Sequence, residues 1–387
     1  MKVKQLHTLA NAVTQEVLGE TGVINEDLTN LVDVGEEIFN TDNVDNYVKK
    51  LVNHIGKVIF VDRLYKGGAP SVLMDSWEFG SVLQKISSEL PQATENQSWE
   101  LEDGTNYSPD VFYQPQVSAK FFNSKVTFEI QLSFTEMQVK ESFSNAEQLN
   151  GFISMLQTSV ENAMTVRLDA LIMRTINNMT AEVIADELGT GEAMDLTTTG
   201  TRAVNLLKLY NDEYKDKLTK EEALSTPEFI RYSSYIISLY KDRIAKISKL
   251  FNVGGKDRFT PEDKLHLVLL SDFDKASNVF LNSDVYHKEL VALPQGIETV
   301  PYWQGSGVDY SFEEITKIDV KNSSGDIVTA DGILGVMFDR EAVGIANLDR
   351  RVTTNYNPKA EFYTNFYKFD AGYFNDLNEN FVVFFVG

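Results

Sequence analysis

The chain has 387 residues, and its 57 acidic residues outnumber its 35 Lys and Arg residues, which gives a net charge of −22. A chain of this length exceeds what one compact core normally uses, so we expect two lobes with separate cores. Because nucleic acid is itself densely negative, the acidic balance disfavours sequence-specific binding of DNA or RNA. The sequence contains no cysteine, which excludes disulfides, thiolate nucleophiles and sulfur-ligated metals.

Hydrophobic residues make up 43% of the chain, which is ample for a folded core. No apolar run approaches the roughly twenty residues of a membrane helix, and the first residues lack the apolar centre of a signal peptide. We therefore expect synthesis in the cytoplasm and no membrane partner.

The charges are segregated along the chain. No Lys or Arg occurs between Gln5 and Val48 or between Ile86 and Ala119, whereas residues 208–258 are rich in both. Each charge by itself is best interpreted as part of a solvated face. As a set, the acidic and basic segments offer complementary patches for self-association.

Residues 1–50 are polar and acidic with short apolar clusters, which predicts an extended or loosely helical arm. The apolar residues become denser in 51–64, where packed structure is expected to begin. Residues 71–116 then mix strand-like pieces with turn signals. We interpret them as the outgoing half of a long ribbon with its tip near residues 86–112.

The stretch from Val117 to Thr135 alternates between apolar and polar residues, which is typical of a strand with one buried face. We interpret it as the returning half of the ribbon. Its apolar positions include Val126, Phe128, Ile130, Leu132 and Phe134.

A long helix is predicted next, because apolar residues recur at spacings of three and four from Leu149 to Leu171 and the pattern extends to about Ile184. Ser144 or Asn145 is suited to be its N-cap. An extended ribbon feeding a long helix is unusual for an enzyme core and suits a protein that reaches across its neighbours.

The remaining chain mixes helices and strands. Gly189, Gly191 and the run from Thr197 to Thr201 predict a linker and domain boundary, after which residues 202–250 look helical. Further along, the sequence predicts strands at Leu265–Leu270 and Ile333–Phe338, a helix at Asp272–Phe280 and aromatic strands in the tail, Val352–Gly387.

The sequence gives no positive argument for catalysis. The four histidines are scattered without the helical pairing that zinc or di-iron sites use. Gly189-Thr190-Gly191 lacks the further residues of a nucleotide-binding loop, so a flexible linker is the better interpretation. Paired carboxylates such as Glu36-Glu37 carry little information in so acidic a chain.

The order of elements resembles the major capsid protein of tailed double-stranded DNA phages, which has an α+β architecture known as the HK97-type phage capsid fold. The likeness is greatest to head proteins of small, short-tailed phages of Gram-positive hosts. Two passages carry it: the segment Asn53–Ile59 before the ribbon, and the closing strands from Asn357-Pro358-Lys359 to Val386.

The resemblance implies a domain plan and a function. Residues 1–60 would form an N-terminal arm and 61–140 an extended loop with supporting strands. Residues 141–190 with 345–387 would form a peripheral domain, and 191–344 an axial domain. The protein would assemble as pentamers and hexamers into an icosahedral head in the host bacterial cytoplasm. The head would enclose double-stranded DNA without sequence-specific binding.

The resemblance also implies partners and departures from relatives. Because the arm is only about fifty residues long, we expect a separate scaffolding protein, and the head would also hold a portal protein. No motif marks Lys66 or Lys85 as reactive, so we expect no covalent crosslink between subunits. We expect no enzymatic activity, cofactor or metal.

The sequence also nominates contacts between subunits. At the ribbon tip these are Trp99 and the acids Glu100, Glu102 and Asp103; in the basic region they are Lys246 and Lys249.

Three other interpretations stay open. A nanocompartment shell of the encapsulin type would enclose a cargo enzyme in place of DNA. A soluble acidic hydrolase would place its carboxylates in an aromatic cleft formed by the tail. A portal or tail protein would form a ring.

Overall fold

The structure is a computed structural model that describes residues 11–16, 50, 68–74, 83–91, 93, 95–107, 110, 112, 114–135, 137, 146–215, 217–282, 297–305 and 311–387. The segment Asn53–Ile59, Lys66, and the N-cap candidates Ser144 and Asn145 lie outside these residues.

The chain forms two compact units, each assembled from segments that are far apart in the sequence. Unit 1 comprises Met1–Ala69, Lys125–Leu171 and Ala346–Gly372. Unit 2 comprises Pro70–Ser124, Ile172–Ile345 and Tyr373–Gly387.

Along the described chain, strands precede the long helix and occupy the part from Ile318 onward, and helices and short strands are mixed between them. The strands are β1 (Leu73–Met74), β2 (Leu83–Ser88), β3 (Val117–Phe122), β4 (Lys125–Thr135), β5 (Ala203–Asn205), β6 (Leu265–Leu270), β7 (Ile297–Val300), β8 (Ile318–Lys321), β9 (Ile327–Ala330), β10 (Ile333–Asp339), β11 (Val343–Asn357), β12 (Phe362–Asn375) and β13 (Phe381–Phe385). The longer helices are α1 (Ala146–Leu188), α2 (Leu206–Tyr214), α3 (Lys220–Ala223), α4 (Pro227–Ile244), α5 (Ser271–Asn282) and α6 (Phe312–Thr316).

The long helix predicted by the apolar spacing is confirmed as α1, which has 43 residues. Its described apolar side chains Val160, Met164 and Leu168 are each 1% exposed, as a stripe at four-residue spacing requires. The helix ends before Gly189, whose φ of +88° suits a residue without a Cβ.

In unit 1 the predicted alternating strand is confirmed as β4, which pairs antiparallel with β12. Phe128 lies opposite Phe369 and Phe134 opposite Tyr363, with ring centroids 5.1 Å and 5.8 Å apart. Such cross-strand aromatic pairs stabilise a sheet.

In unit 2 the predicted strands at Leu265–Leu270 and Ile333–Phe338 are confirmed as β6 and β10. They are central in a five-stranded sheet of order β5-β13-β10-β6-β7. All seven residues of β10 and all five of β13 are buried, so the aromatic end of the tail fills this core.

The structure differs from the sequence interpretation at residues 123–124. The stretch Val117–Thr135 is two strands with different partners: β3 pairs with β2, and β4 pairs with β12. The inward positions stay at even residue numbers on both sides of the break. The alternation therefore continues in phase and gives no sign that the partner changes.

Candidate functional site

The antiparallel pair of β2 and β3, called the ribbon below, has an inner face that is polar at its centre. Lys85 lies directly opposite Lys120, and Ser87 lies opposite Ser118 with their hydroxyl oxygens 2.9 Å apart. These four residues are half-buried. These four polar side chains therefore point toward the ribbon's own unit.

The outer face of the ribbon is exposed and is apolar except for Gln84 and Ser88. Phe121 is 64% exposed, Ile86 63% and Val117 61%. Val117 and Phe121 are outward positions of β3 with Ala119 between them. Ile86 lies opposite Ala119, so the four form one row on one side of the ribbon. A contiguous exposed apolar row of this kind is typical of a surface that another molecule covers.

The residues that connect the two strands, 89–116, are called the ribbon tip, and they carry further exposed apolar side chains. Trp99 is 95% exposed, and Phe112 and Leu101 are also exposed. The predicted contact residues Glu100, Glu102 and Asp103 are exposed beside Trp99.

The ribbon is held near its centre by a carboxylate that both opposed lysines share. Nζ of Lys85 lies 2.9 Å from Oδ2 of Asp376, and Nζ of Lys120 lies 2.9 Å from Oδ1 of the same residue. The Asp376 side chain is only 2% exposed. Both oxygens of this buried carboxylate are thus engaged by the ribbon.

A second carboxylate extends this arrangement. Glu379 Oε1 accepts hydrogen bonds from Lys85 Nζ at 2.8 Å and from Arg258 Nε at 3.1 Å. We call the five residues Lys85, Lys120, Arg258, Asp376 and Glu379 the root cluster.

The root cluster shifts the ionisation of its own members. Burial opposes the charge of Asp376, but Lys85 and the hydrogen bonds from both lysines outweigh it, so the pKa of Asp376 lies below its usual range. Burial likewise opposes the charge on Lys85. The hydrogen bond to Glu379 and the charges of Asp376 and Glu379 outweigh it, so the pKa of Lys85 is raised.

A cleft of about 370 Å³ lies between β2 of the ribbon and the loop after α4. Ile86 lines it from the ribbon and Leu90 from the ribbon tip, and Ile247 and Phe259 line it from the loop. Lys264, which pairs with Glu341 at 2.7 Å, also lines it. Both apolar and charged side chains therefore line the cleft.

The basic region after α4 is partly neutralised by its own chain. Lys249 lies 3.5 Å from Asp257, and Lys256 pairs with Glu89 at the start of the ribbon tip. The hydrogen bond and charge of Lys256 lower the pKa of Glu89. Lys246 is exposed. Within the described residues, neither Lys246 nor Lys249 pairs with the tip acids.

One group of Ser, Glu and His side chains has the composition of a catalytic site but not its spatial arrangement. Ser71 donates to Glu298 through its hydroxyl and its backbone N–H, and His266 Nδ1 lies 3.5 Å from the same carboxyl group. A nucleophilic serine needs the imidazole beside its hydroxyl. Here the carboxylate stands between them, so the group ties β1 and its flanks to β7.

Within the part of the chain that the structure describes, no group of three His, Asp or Glu residues is placed to hold a metal ion. Over the same residues, no helix is both long and apolar enough to cross a membrane.

The sequence-based selection of site residues omitted the root cluster. Lys85 and Lys120 stand at inward positions of alternating strands, where apolar residues are the rule, and this was the available signal. Asp376 and Glu379 lie in a turn with no pattern of its own, and only the fold brings them to the ribbon.

A family model described as Phi29-like phage major capsid protein matches residues 10–385. No curated protein sequence matches the chain.

Among solved structures, the capsid of Staphylococcus phage Andhra aligns with a TM-score of 0.52 and 9% identity, covering 84% of this chain and 86% of that one. The capsid of cyanophage P-SCSP1u aligns with a TM-score of 0.45 and 11% identity, covering 85% and 92%. The first alignment shows that the two chains share a fold, which is the HK97-type α+β fold expected from the sequence.

Proposed function

Since this chain belongs to the Phi29-like phage major capsid protein family and is a structural subunit of the phage head, we propose that it assembles as pentamers and hexamers through the exposed face of its ribbon. The observation that carries the proposal is the apolar outer row of Phe121, Ile86 and Val117, which its own unit leaves exposed. Fully burying one such side chain contributes about 1.5–3 kcal/mol.

The ribbon tip is the second part of the proposed contact. Trp99 is nearly fully exposed, and tryptophan is enriched among the residues that dominate binding energy. We propose that Trp99, Glu100, Glu102 and Asp103 contact a neighbouring subunit and that Lys246 and Lys249 contribute to subunit contacts. Hydrogen exchange at residues 95–105 should then be slower in the assembly than in the free subunit; equal rates would contradict this assignment.

The proposed domains are those that the resemblance to phage capsid proteins implies. Residues 61–140 would act as the extended loop with its supporting strands, following an arm at 1–60. Residues 141–190 with 345–387 would form the peripheral domain, and 191–344 the axial domain.

The proposed partners are other copies of this chain, a separate scaffolding protein, a portal protein and enclosed double-stranded DNA. The net charge of −22 supports a shell that encloses DNA without adsorbing it, because like charges repel. We propose assembly in the host bacterial cytoplasm and no enzymatic activity. A particle that held a cargo enzyme in place of DNA would support the encapsulin-type alternative.

The test compares two isoleucines that are similarly exposed on strands of unit 2. Ile86 is 63% exposed on the ribbon, and Ile327 is 56% exposed on β9. Each is replaced by Ser, and the variants are co-expressed with the other head proteins and counted as particles by negative-stain electron microscopy. We expect Ile86→Ser to lose particles and Ile327→Ser to keep them. Normal particles from Ile86→Ser would overturn the proposal.

A further inference from the structure

The root cluster fixes the ribbon to one carboxylate turn, residues 376–380 between β12 and β13. We infer that this turn is a latch that sets the direction of the ribbon in the free subunit, with Asp376 and Glu379 as positioning residues for assembly. The inference rests on the proposed function, because direction matters only if the ribbon meets a neighbour.

Two positive charges lie opposite each other across the ribbon. Lys85 and Lys120 are directly opposite each other, and like charges in opposed positions destabilise a strand pair. Asp376 offsets this repulsion by taking one lysine on each carboxylate oxygen. The ribbon is therefore satisfied in the orientation that brings both ammonium groups to Asp376.

The turn that pairs with the lysines is itself held by hydrogen bonds. The Asp376 N–H donates to Ala342 O at 2.8 Å, and the Asn378 N–H donates to Asp376 Oδ1 at 3.1 Å. The Gly254 N–H donates to Leu377 O at 2.7 Å, and a Cβ at Gly254 would collide with the Asn378 side chain. The turn is thus tied to the start of β11 and to the loop after α4.

The apolar contact and the ion pairs of the ribbon have different roles. Phe122 packs against Phe374 with ring centroids 4.9 Å apart, which provides apolar contact at the base of the ribbon. Ion pairs that are largely removed from water contribute little net stability, so we assign the root cluster the role of specifying one arrangement. An isolated two-stranded ribbon is marginal in water, so its direction depends on what holds its base. The apolar contact then holds the ribbon, and the root cluster orients it.

A fixed ribbon direction favours association with a neighbouring subunit. A surface that is already oriented loses less conformational entropy when it binds. A ribbon without its latch would present the same apolar row in many directions. The latch therefore affects assembly without touching the neighbouring subunit.

The test uses the full chain, whose lack of cysteine allows two spin labels to be placed freely. Labels at Gln114→Cys in the ribbon tip and Ser324→Cys between β8 and β9 sit at exposed positions of unit 2. Double electron–electron resonance of the unassembled subunit reports the distance distribution. We expect one narrow population for the parent chain and its loss in Lys120→Met and in Asp376→Asn.

Two control variants separate orientation from general damage. Lys120→Arg keeps a positive donor and should retain the narrow population. Asp370→Asn removes a different carboxylate on β12, which pairs with Arg351 at 2.8 Å in unit 1, and should also retain it.

A narrow population in Lys120→Met or in folded Asp376→Asn would overturn the latch, and so would equal broadening in Asp370→Asn. Lys120 is 39% exposed, so its Met variant is expected to fold even if Asp376→Asn does not. Because the free subunit is measured, the result does not depend on whether particles form, and failure of the latch is distinguishable from failure of the proposed assembly.

Discussion

The ribbon and the β4–β12 pair are both antiparallel strand pairs with alternating residues, but they differ in which face the protein buries. The β4–β12 pair buries an aromatic face, whereas the ribbon turns lysines and serines toward the protein and leaves apolar side chains exposed. In the β4–β12 pair, aromatic residues such as Phe134 and Tyr363 meet across the strands and are buried. In the ribbon, the polar side chains of Lys85 and Lys120 face the same unit, and Phe121 is exposed. Alternation thus marks two faces, and only the surrounding structure decides which face the chain itself covers.

This difference distinguishes folding from assembly. A substitution on the buried face of β4 acts within the subunit, because the lost contacts are its own. A substitution on the outer face of the ribbon leaves the folded subunit nearly unchanged, because exposed positions contribute little to stability. The two surfaces should therefore respond differently to the same change.

The largest expected effect is loss of folding in Phe134→Asp. Phe134 is 4% exposed, so a carboxylate there would lose its contact with water. The cost of several kcal/mol is comparable to the whole stability of a domain. We expect insoluble or unfolded protein by circular dichroism.

Phe121→Asp is the matched change on the ribbon. Phe121 is 64% exposed, so the variant should stay soluble with the circular dichroism spectrum of the parent chain. Its assembly should fail, because the charge lies in the apolar row that a neighbour is proposed to cover. Sedimentation with the other head proteins checks this, and natively folded Phe134→Asp or assembling Phe121→Asp would break the comparison.

A pH series sharpens the comparison at the root cluster. The pKa of Asp376 lies below its usual 3.8, so its contribution is present above that value and is lost as pH falls through the lowered pKa. The pKa of Lys85 lies above its usual 10.5, so its contribution is present below that value and is lost as pH rises through the raised pKa.

The distance between the two spin labels should accordingly stay narrowly distributed from pH 5 to pH 9, the range inside both limits. Spectra recorded at these two pH values test this. Broadening already at pH 5 would show that Asp376 is not held in its charged form by the lysines.

A smaller effect is expected from Lys249→Glu. Its pair with Asp257 is exposed at 3.5 Å, and exposed pairs contribute about 0–1 kcal/mol, so thermal stability should change little. Assembly should weaken more than folding, and Lys246→Glu should do the same. Normal particle yield at physiological salt from either variant would remove these lysines from the proposed contact.

The smallest expected effect is in Tyr367→Phe. Tyr367 is 1% exposed, and among the described residues its hydroxyl has no hydrogen-bond partner. Burial raises the pKa of Tyr367 to about 12. Removing a buried polar group without a partner should stabilise unit 1 by up to ~1 kcal/mol. Thermal unfolding measures this, and clear destabilisation would reveal a partner for the hydroxyl.

The sequence by itself determined the elements whose pattern is local. The stripe that includes Val160, Met164 and Leu171 predicts α1 because helical neighbours recur every three to four residues. The alternation in β4 and the apolar run of β6 predict strands for the same reason. The exposed Trp99 was also identifiable, because a tryptophan among acids and turn residues is unlike a core position.

Only the tertiary structure decided which strands pair and which charges meet. The break between β3 and β4 is invisible in the alternation, because the inward phase continues across it. Asp376 lies 256 residues from Lys120, and no local pattern connects them. Burial and ion pairing depend on distances in space between distant segments, whereas the sequence pattern reports only the periodicity of each segment.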